Sequence, residues 1–154
     1  MRIGLIGVTA LIEIVIDIVK SKSPDYFVGI FDDDRMKQHK KFYHCEVIGK
    51  INEIKYAFDQ KIINTATICL GYNYLKKKKE IATALNNWNI PQLSFIHPRA
   101  IISSSAEIGD GVIMNMGTII SHNVKIYEGV AFWAGSIIEH DTIVHPHCFI
   151  APGV

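Results

Sequence analysis

A histidine with a carboxylate on either side, Glu139-His140-Asp141, is the group in this chain most suited to moving a proton. Imidazole changes charge near neutral pH, so it can accept a proton from a weak nucleophile and release it afterwards. A neighbouring carboxylate stabilises the imidazolium that forms. Other histidines stand at regular distances from it. His122 lies eighteen residues earlier, His145 five residues later and His147 seven residues later. Taken alone, His122, His145 and His147 read as exposed turn residues with no role. A second group suits ligand binding: the run Gly7-Val8-Thr9-Ala10-Leu11, the acidic cluster Asp32-Asp33-Asp34, and Gly71-Tyr72-Asn73.

The elements that must carry His140 are set by a period of six. Large apolar residues stand at Ile96, Ile102, Ile108, Met114, Ile120, Ile126, Phe132, Ile138, Val144 and Ile150. Four places after each comes a small or β-branched residue, from Ala100 and Ala106 through Ser136 and Thr142 to Cys148 and Val154. Neither a helix nor an alternating strand has this period, whereas a solenoid of short repeats does. Three hexads close one triangular coil, so the spacing implies a left-handed parallel β-helix from about Ser94 to Val154. Eighteen residues make one lap. His122 and His140 therefore belong to one column.

The residues before Pro91 follow another rule. The run Arg2 to Ile6 reads as a strand, Ala10 to Val19 as a helix, and Tyr26 to Phe31 as a strand ending in the acidic cluster. Asn52 reads as the cap of a short helix through Phe58. Thr65 to Leu70 reads as a strand, and Asn73 to Asn87 as a helix with Lys76 to Lys79 on its solvated side. Alternating strands and helices imply an α/β, Rossmann-like domain over residues 1–90, a parallel sheet covered by helices. Such sheets bind ligands at the carboxyl ends of their strands, where turns and helix N-termini offer N–H groups. Gly7 to Leu11, Asp32-Asp33 and Gly71 all fall at that end.

Composition narrows the functional classes. Sixteen basic and fifteen acidic residues leave a formal charge of +1, which supplies no field for nucleic acid or an anionic membrane. Glu13 and Asp17 interrupt the apolar N-terminal run, so it reads as core rather than as a signal or membrane segment. Cys45, Cys69 and Cys148 are odd in number and widely spaced, which fits reduced thiols in a cytoplasm.

An N-terminal parallel domain with Asp-Asp after its second strand, Gly71-Tyr72-Asn73 after a later strand, His97-Pro98-Arg99-Ala100, and hexads containing Glu139-His140-Asp141 together resemble a known family. It is that of bacterial sugar acyltransferases of the sialic-acid O-acetyltransferase (NeuD) and bacillosamine-pathway N-acetyltransferase (PglD) type, and the likeness spans essentially the whole chain. The resemblance implies transfer of an acetyl group from acetyl-CoA to an amine or hydroxyl of a nucleotide-linked sugar, in the making of a bacterial surface glycan. It implies a homotrimer with active sites between neighbouring solenoids, and no resident metal. It assigns His140 as the base and Asp141 as its carboxylate partner. It also carries nucleotide-sugar contacts onto Thr9, Ala10, Leu11, Asp32, Asp33 and Gly71.

The chain departs from the family pattern at three places. Ala10 and Leu11 stand where the opening loop is usually richer in glycine. Trp133 replaces a common asparagine seven residues before His140, and Phe149 occupies the position of a histidine that contacts CoA. The chain also stops at Val154, within a hexad, where relatives continue through further coils; the expectation is an acyltransferase shortened at its C-terminus. Two other readings stay open. One is a trimeric module that binds a nucleotide sugar, or merely assembles, without catalysis. The other is a zinc site, because His122, His140 and His145 are spaced like the ligands of γ-class carbonic anhydrases.

Overall fold

The computed structural model describes residues 1–22 and 26–154, and these form two compact units, Met1–Leu93 and Ser94–Val154. In the first unit the strands are β1 (Arg2–Ile6), β2 (Phe27–Phe31), β3 (Lys41–Phe42), β4 (Cys45–Gly49) and β5 (Thr65–Ile68). They form one sheet in the order β3-β4-β2-β1-β5. All neighbours run parallel except β3, which pairs antiparallel with β4. β1 and β5 read as nearly unbroken buried runs, as expected of parallel strands covered on both faces. Thr65 and Thr67 are buried there because the returning chain receives their hydroxyls: each donates at 2.8 Å, to Pro91 O and Leu93 O respectively.

Three helices follow strands in this unit: α1 (Ala10–Lys22), α2 (Ile54–Asp59) and α3 (Leu75–Asn87). In α1, Glu13, Asp17, Lys20 and Ser21 are exposed at helical spacing, as is Ala10 at its start, and the isoleucines and valines between them are buried. Packing holds this helix, since β-branched residues are indifferent helix formers. α3 buries Lys78, Ile81, Ala82 and Leu85, an i, i+3, i+4, i+7 stripe. Lys78 is thus 3% exposed, and the lysine run is not the uniformly solvated face that the sequence suggested. The reason is its register: it lies three residues before Ile81 on the core-facing side. Asn89, at φ 53°, ends α3 with paired bonds, Ile90 N–H to Leu85 O and Asn89 N–H to Asn86 O.

Asn52 does not cap α2. It sits inside a 3₁₀ turn, Ile51–Glu53, that precedes the helix. The acceptors at that end come from Glu53, which receives the Lys50 N–H at 2.7 Å, and from Asp33, which receives the Ile51 N–H at 3.0 Å.

The second unit contains β6 (Phe95–Ile96), β7 (Ile101–Ile102), β8 (Glu107–Ile108), β9 (Ile113–Met114), β10 (Ile119–Ile120), β11 (Lys125–Ile126), β12 (Ala131–Phe132), β13 (Ile137–Ile138), β14 (Ile143–Val144) and β15 (Phe149–Ile150). Every third strand pairs in parallel, giving sheets β15-β12-β9-β6, β13-β10-β7 and β14-β11-β8. Residue pairs such as Ile101 with Ile119 and Ile119 with Ile137 are all eighteen apart. Parallel sheets of repeated strands fit a β-helix. Its interior is the ladder of second strand residues, Met114, Ile120, Ile126, Phe132, Ile138 and Val144, with Val112, Val124 and Val130 between them. Thr118 and Ser136 are fully buried in the same slots. Each hydroxyl donates at 2.9 Å to the carbonyl three residues earlier, so the polar atom is satisfied within its own turn.

Candidate functional site

The acid–base pair lies on a two-residue turn. His140 and Asp141 join β13 to β14, with Asp141 at φ 55° in the left-handed region that Asp tolerates better than most residues. His140 Nδ1 stands 2.8 Å from Asp141 Oδ2. With an ionised carboxylate as acceptor, Nδ1 holds the hydrogen and Nε2 presents its lone pair. Both side chains are exposed, at 58% and 65%. Asp141 also receives Asn123 Nδ2 on its other oxygen at 3.3 Å. The hydrogen bond from His140, then that from Asn123, hold the Asp141 carboxyl below its ordinary range.

One lap below, His122 and Asn123 form the equivalent turn between β10 and β11. The rings of His122 and His140 stack with centroids 5.0 Å apart and planes 13° from parallel. The sequence placed these histidines in one column but left His122 without a role. The other histidines behave differently. His145 stacks on Tyr127 at 6.1 Å. His147 is not an exposed turn residue: it is buried at 8%, and its ring fills the space where a side chain on Gly129 would stand. Phe149 lies on β15 and packs against Trp133 with centroids 6.0 Å apart, on a different sheet from the β13 strand that leads to His140. Among the described residues, no three His, Cys, Asp or Glu side chains gather as a metal site.

The first unit carries a cleft of 240 Å³ at the carboxyl ends of β1 and β2. Gly7, Val8, Thr9, Asp32, Asp33, Asp34, Lys37, Leu70, Tyr74 and Lys77 are among its lining residues. Gly7, at φ 89°, allows the sharp turn out of β1, and a Cβ there would collide with Leu70. Of the sequence-derived candidates, Thr9, Asp32 and Asp33 come together here. Ala10 and Gly71 are not lining residues, and the Leu11 side chain is buried at 1% in the core.

The acidic cluster is occupied by the protein's own donors. Asp32 Oδ2 accepts the Val8 N–H at 2.7 Å and the Lys37 ammonium at 3.2 Å, while Oδ1 accepts the Asp34 N–H at 2.9 Å. Asp33 accepts the Ile51 N–H and, at 2.7 Å, the Lys77 ammonium. Burial pushes the Asp33 carboxyl up, but bonds from Lys77 and Ile51 and the charges of Lys77 and Lys50 outweigh it, so the net shift is downward. Thr9 Oγ1 accepts the Leu11 N–H at 3.2 Å and donates to Cys69 O, which fastens the start of α1 to the end of β5. The sequence reading missed Lys37 and Lys77; Lys77 meets Asp33 from forty-four residues away, which no local pattern marks. A wider cavity of 490 Å³ shares Asp33 and Ile51 with this cleft and is lined also by Arg35, Lys50 and Trp88.

No family model matches this chain, and no curated protein matches it. Solved structures do. PerB from Caulobacter crescentus, in complex with CoA and GDP-perosamine, is similar at a TM-score of 0.87 and 19% identity, over 99% of this chain and 69% of that one. The acetyltransferase domain of PglB from Neisseria gonorrhoeae, with acetyl coenzyme A, gives 0.84 and 19% over 99% and 71%. WeeI from Acinetobacter baumannii gives 0.72 and 15% over 99% and 79%. At the level of fold, the chain is similar to sugar acetyltransferases of the type that the sequence resembled.

Proposed function

We propose that this protein transfers an acetyl group from acetyl-CoA to an amine or hydroxyl of a nucleotide-linked sugar, as a cytoplasmic homotrimer in bacterial surface glycan synthesis. The observation that carries this reading is the His140–Asp141 pair, with Nδ1 anchored and Nε2 left to act. In the reaction the sugar amine or hydroxyl attacks the thioester carbonyl carbon and passes its proton to His140 Nε2. Asp141 stabilises the imidazolium. The tetrahedral intermediate collapses with cleavage of the C–S bond, and the proton goes on to the departing CoA sulfur. Backbone N–H groups would hold the oxyanion.

The likeness in fold to the CoA- and GDP-perosamine-bound neighbour supports this reading, as does the cleft at the carboxyl ends of parallel strands β1 and β2. An outward column of Ile101, Ile119 and Ile137, exposed at 64%, 36% and 48%, supports association through one face of a left-handed solenoid. No helix among the described residues is long and apolar enough to cross a membrane. Incubation with acetyl-CoA and a panel of UDP- and GDP-linked amino sugars, with free thiol as the readout, tests the proposal. Thiol release that depends on one of these sugars is the expected result. Binding of a nucleotide sugar without release would favour the non-catalytic module instead.

A further inference from the structure

The turn below the acid–base pair has no part in the chemistry above, yet its side chains are bound to that pair. Asn123 and Asp141 have nearly the same backbone, φ 57° and 55°, so successive laps present their side chains in register. Asp141 consequently has one oxygen on Asn123 and the other on His140. Its own N–H donates to His122 O at 3.2 Å, and the two imidazoles lie face to face. The lower turn is itself fixed. Ser105 Oγ, a further lap down, accepts the Asn123 N–H at 3.0 Å, and Ser121 Oγ stands 3.3 Å from His122 Nδ1.

All four of these side chains are exposed, so packing does not choose their rotamers. An exposed imidazole samples three χ1 wells and a broad χ2. A base works only while its lone pair points at the proton, and loss of that orientation is costly to the rate. A carboxylate held at both oxygens cannot swing away from Nδ1, and a ring resting on a second ring cannot tip freely.

We propose that His122 and Asn123 are positioning residues for His140: Asn123 anchors the Asp141 carboxylate, and the His122 ring is the platform that aims Nε2. This role rests on the acyl-transfer reading for its purpose, while the geometry it asserts is testable without any substrate. The experiment is nitrogen-15 NMR of histidine-labelled protein, which reports which ring nitrogen of His140 bears hydrogen, combined with thiol-release kinetics. In the parent protein His140 is expected as a single Nδ1–H tautomer. Asn123→Ala and His122→Ala are expected to return it to the mixture of a free imidazole and to lower kcat by about tenfold with KM nearly unchanged. His122→Phe keeps a flat ring and is expected to retain the tautomer and kcat to within about threefold.

A His140 tautomer that is unchanged in both alanine variants would overturn the proposal. Loss in His122→Phe as large as in His122→Ala would also overturn it, by making His122 a participant in the chemistry. If the tautomer responds as expected but no sugar supports thiol release, the positioning geometry stands and the acyl-transfer reading fails.

Discussion

Charge at single residues in the first unit is spent internally before any ligand arrives. Asp32 is 8% exposed and serves as a hub for the Val8 N–H and Lys37, so it fixes the turn after β1 against the end of β2. Asp33 does the same for the 3₁₀ turn before α2, through Ile51, and ties it to α3 through Lys77. Because the folded Asp33 carboxyl is depressed, its contribution is present above the ordinary carboxylate value. It is lost as pH falls through the lowered one. Lys77→Ala should therefore cost ~0.5–1 kcal/mol at pH 7, the range of an exposed pair, and the gap from the parent should close toward pH 3. Urea unfolding at the two pH values measures it. An equal gap at both would show that the ion pair is not the source. Cys69 is the opposite case: burial pushes its thiol up to about 12 against the pull of Lys78, so it is an inert core residue at neutral pH.

Elements differ in how much of them the sequence disclosed. The hexad period was legible because each repeat makes the same steric demand, a large residue inward and a small one near the corner, and Met114 through Val144 meet it. α1 was legible from the helix-length apolar run Ala10 to Val19, and Glu13 and Asp17 marked that run as core rather than membrane. The hairpin of β3 and β4 was not, because β3 has only two residues and β4 is held by pairing with β2 rather than by a pattern of its own. The start of α2 was misread because a 3₁₀ turn, Ile51–Glu53, precedes it and takes its acceptor from Asp33, and Lys78 because four consecutive lysines hide their register on α3. The dyad's lower support was within reach of the sequence, since a lap of eighteen residues puts His122 and Asn123 beneath His140 and Asp141. α2 also offers a test of local strain. It ends with Lys61 at φ 57°, bonded N–H to Phe58 O, with Ile62 N–H to Ala57 O. A side chain is disfavoured in that conformation, so Lys61→Gly should stabilise the protein by about 1 kcal/mol in chemical denaturation. A loss of stability would mean that the turn does not carry this strain.

For the whole molecule, the proposed acyl transfer divides its two substrates between the two units. One carries a cleft at its strand ends, walled by Asp32 and Asp33 with their paired lysines; the other carries the His140–Asp141 pair on a turn of the coil and an apolar outer column. The outer face of β8-β11-β14 is of another kind, with Glu107 and Lys125 paired at 3.4 Å. The proposed association would use the isoleucine face, where all three outward residues are apolar, whereas the Glu107–Lys125 column holds one exposed isoleucine, Ile143. Ile119→Lys places a charge in the middle of that column. With the parent a trimer, as proposed, light scattering after size-exclusion chromatography should show a threefold fall in mass in this variant; a parent that is already monomeric would overturn the proposed association.

The proposed acyl transfer depends on His140 acting as its base. Thiol release from acetyl-CoA in the presence of the accepted amino-sugar nucleotide should fall by roughly 10²–10⁴-fold in His140→Ala, with the variant's melting temperature unchanged. Turnover in that variant within a few fold of the parent would contradict it.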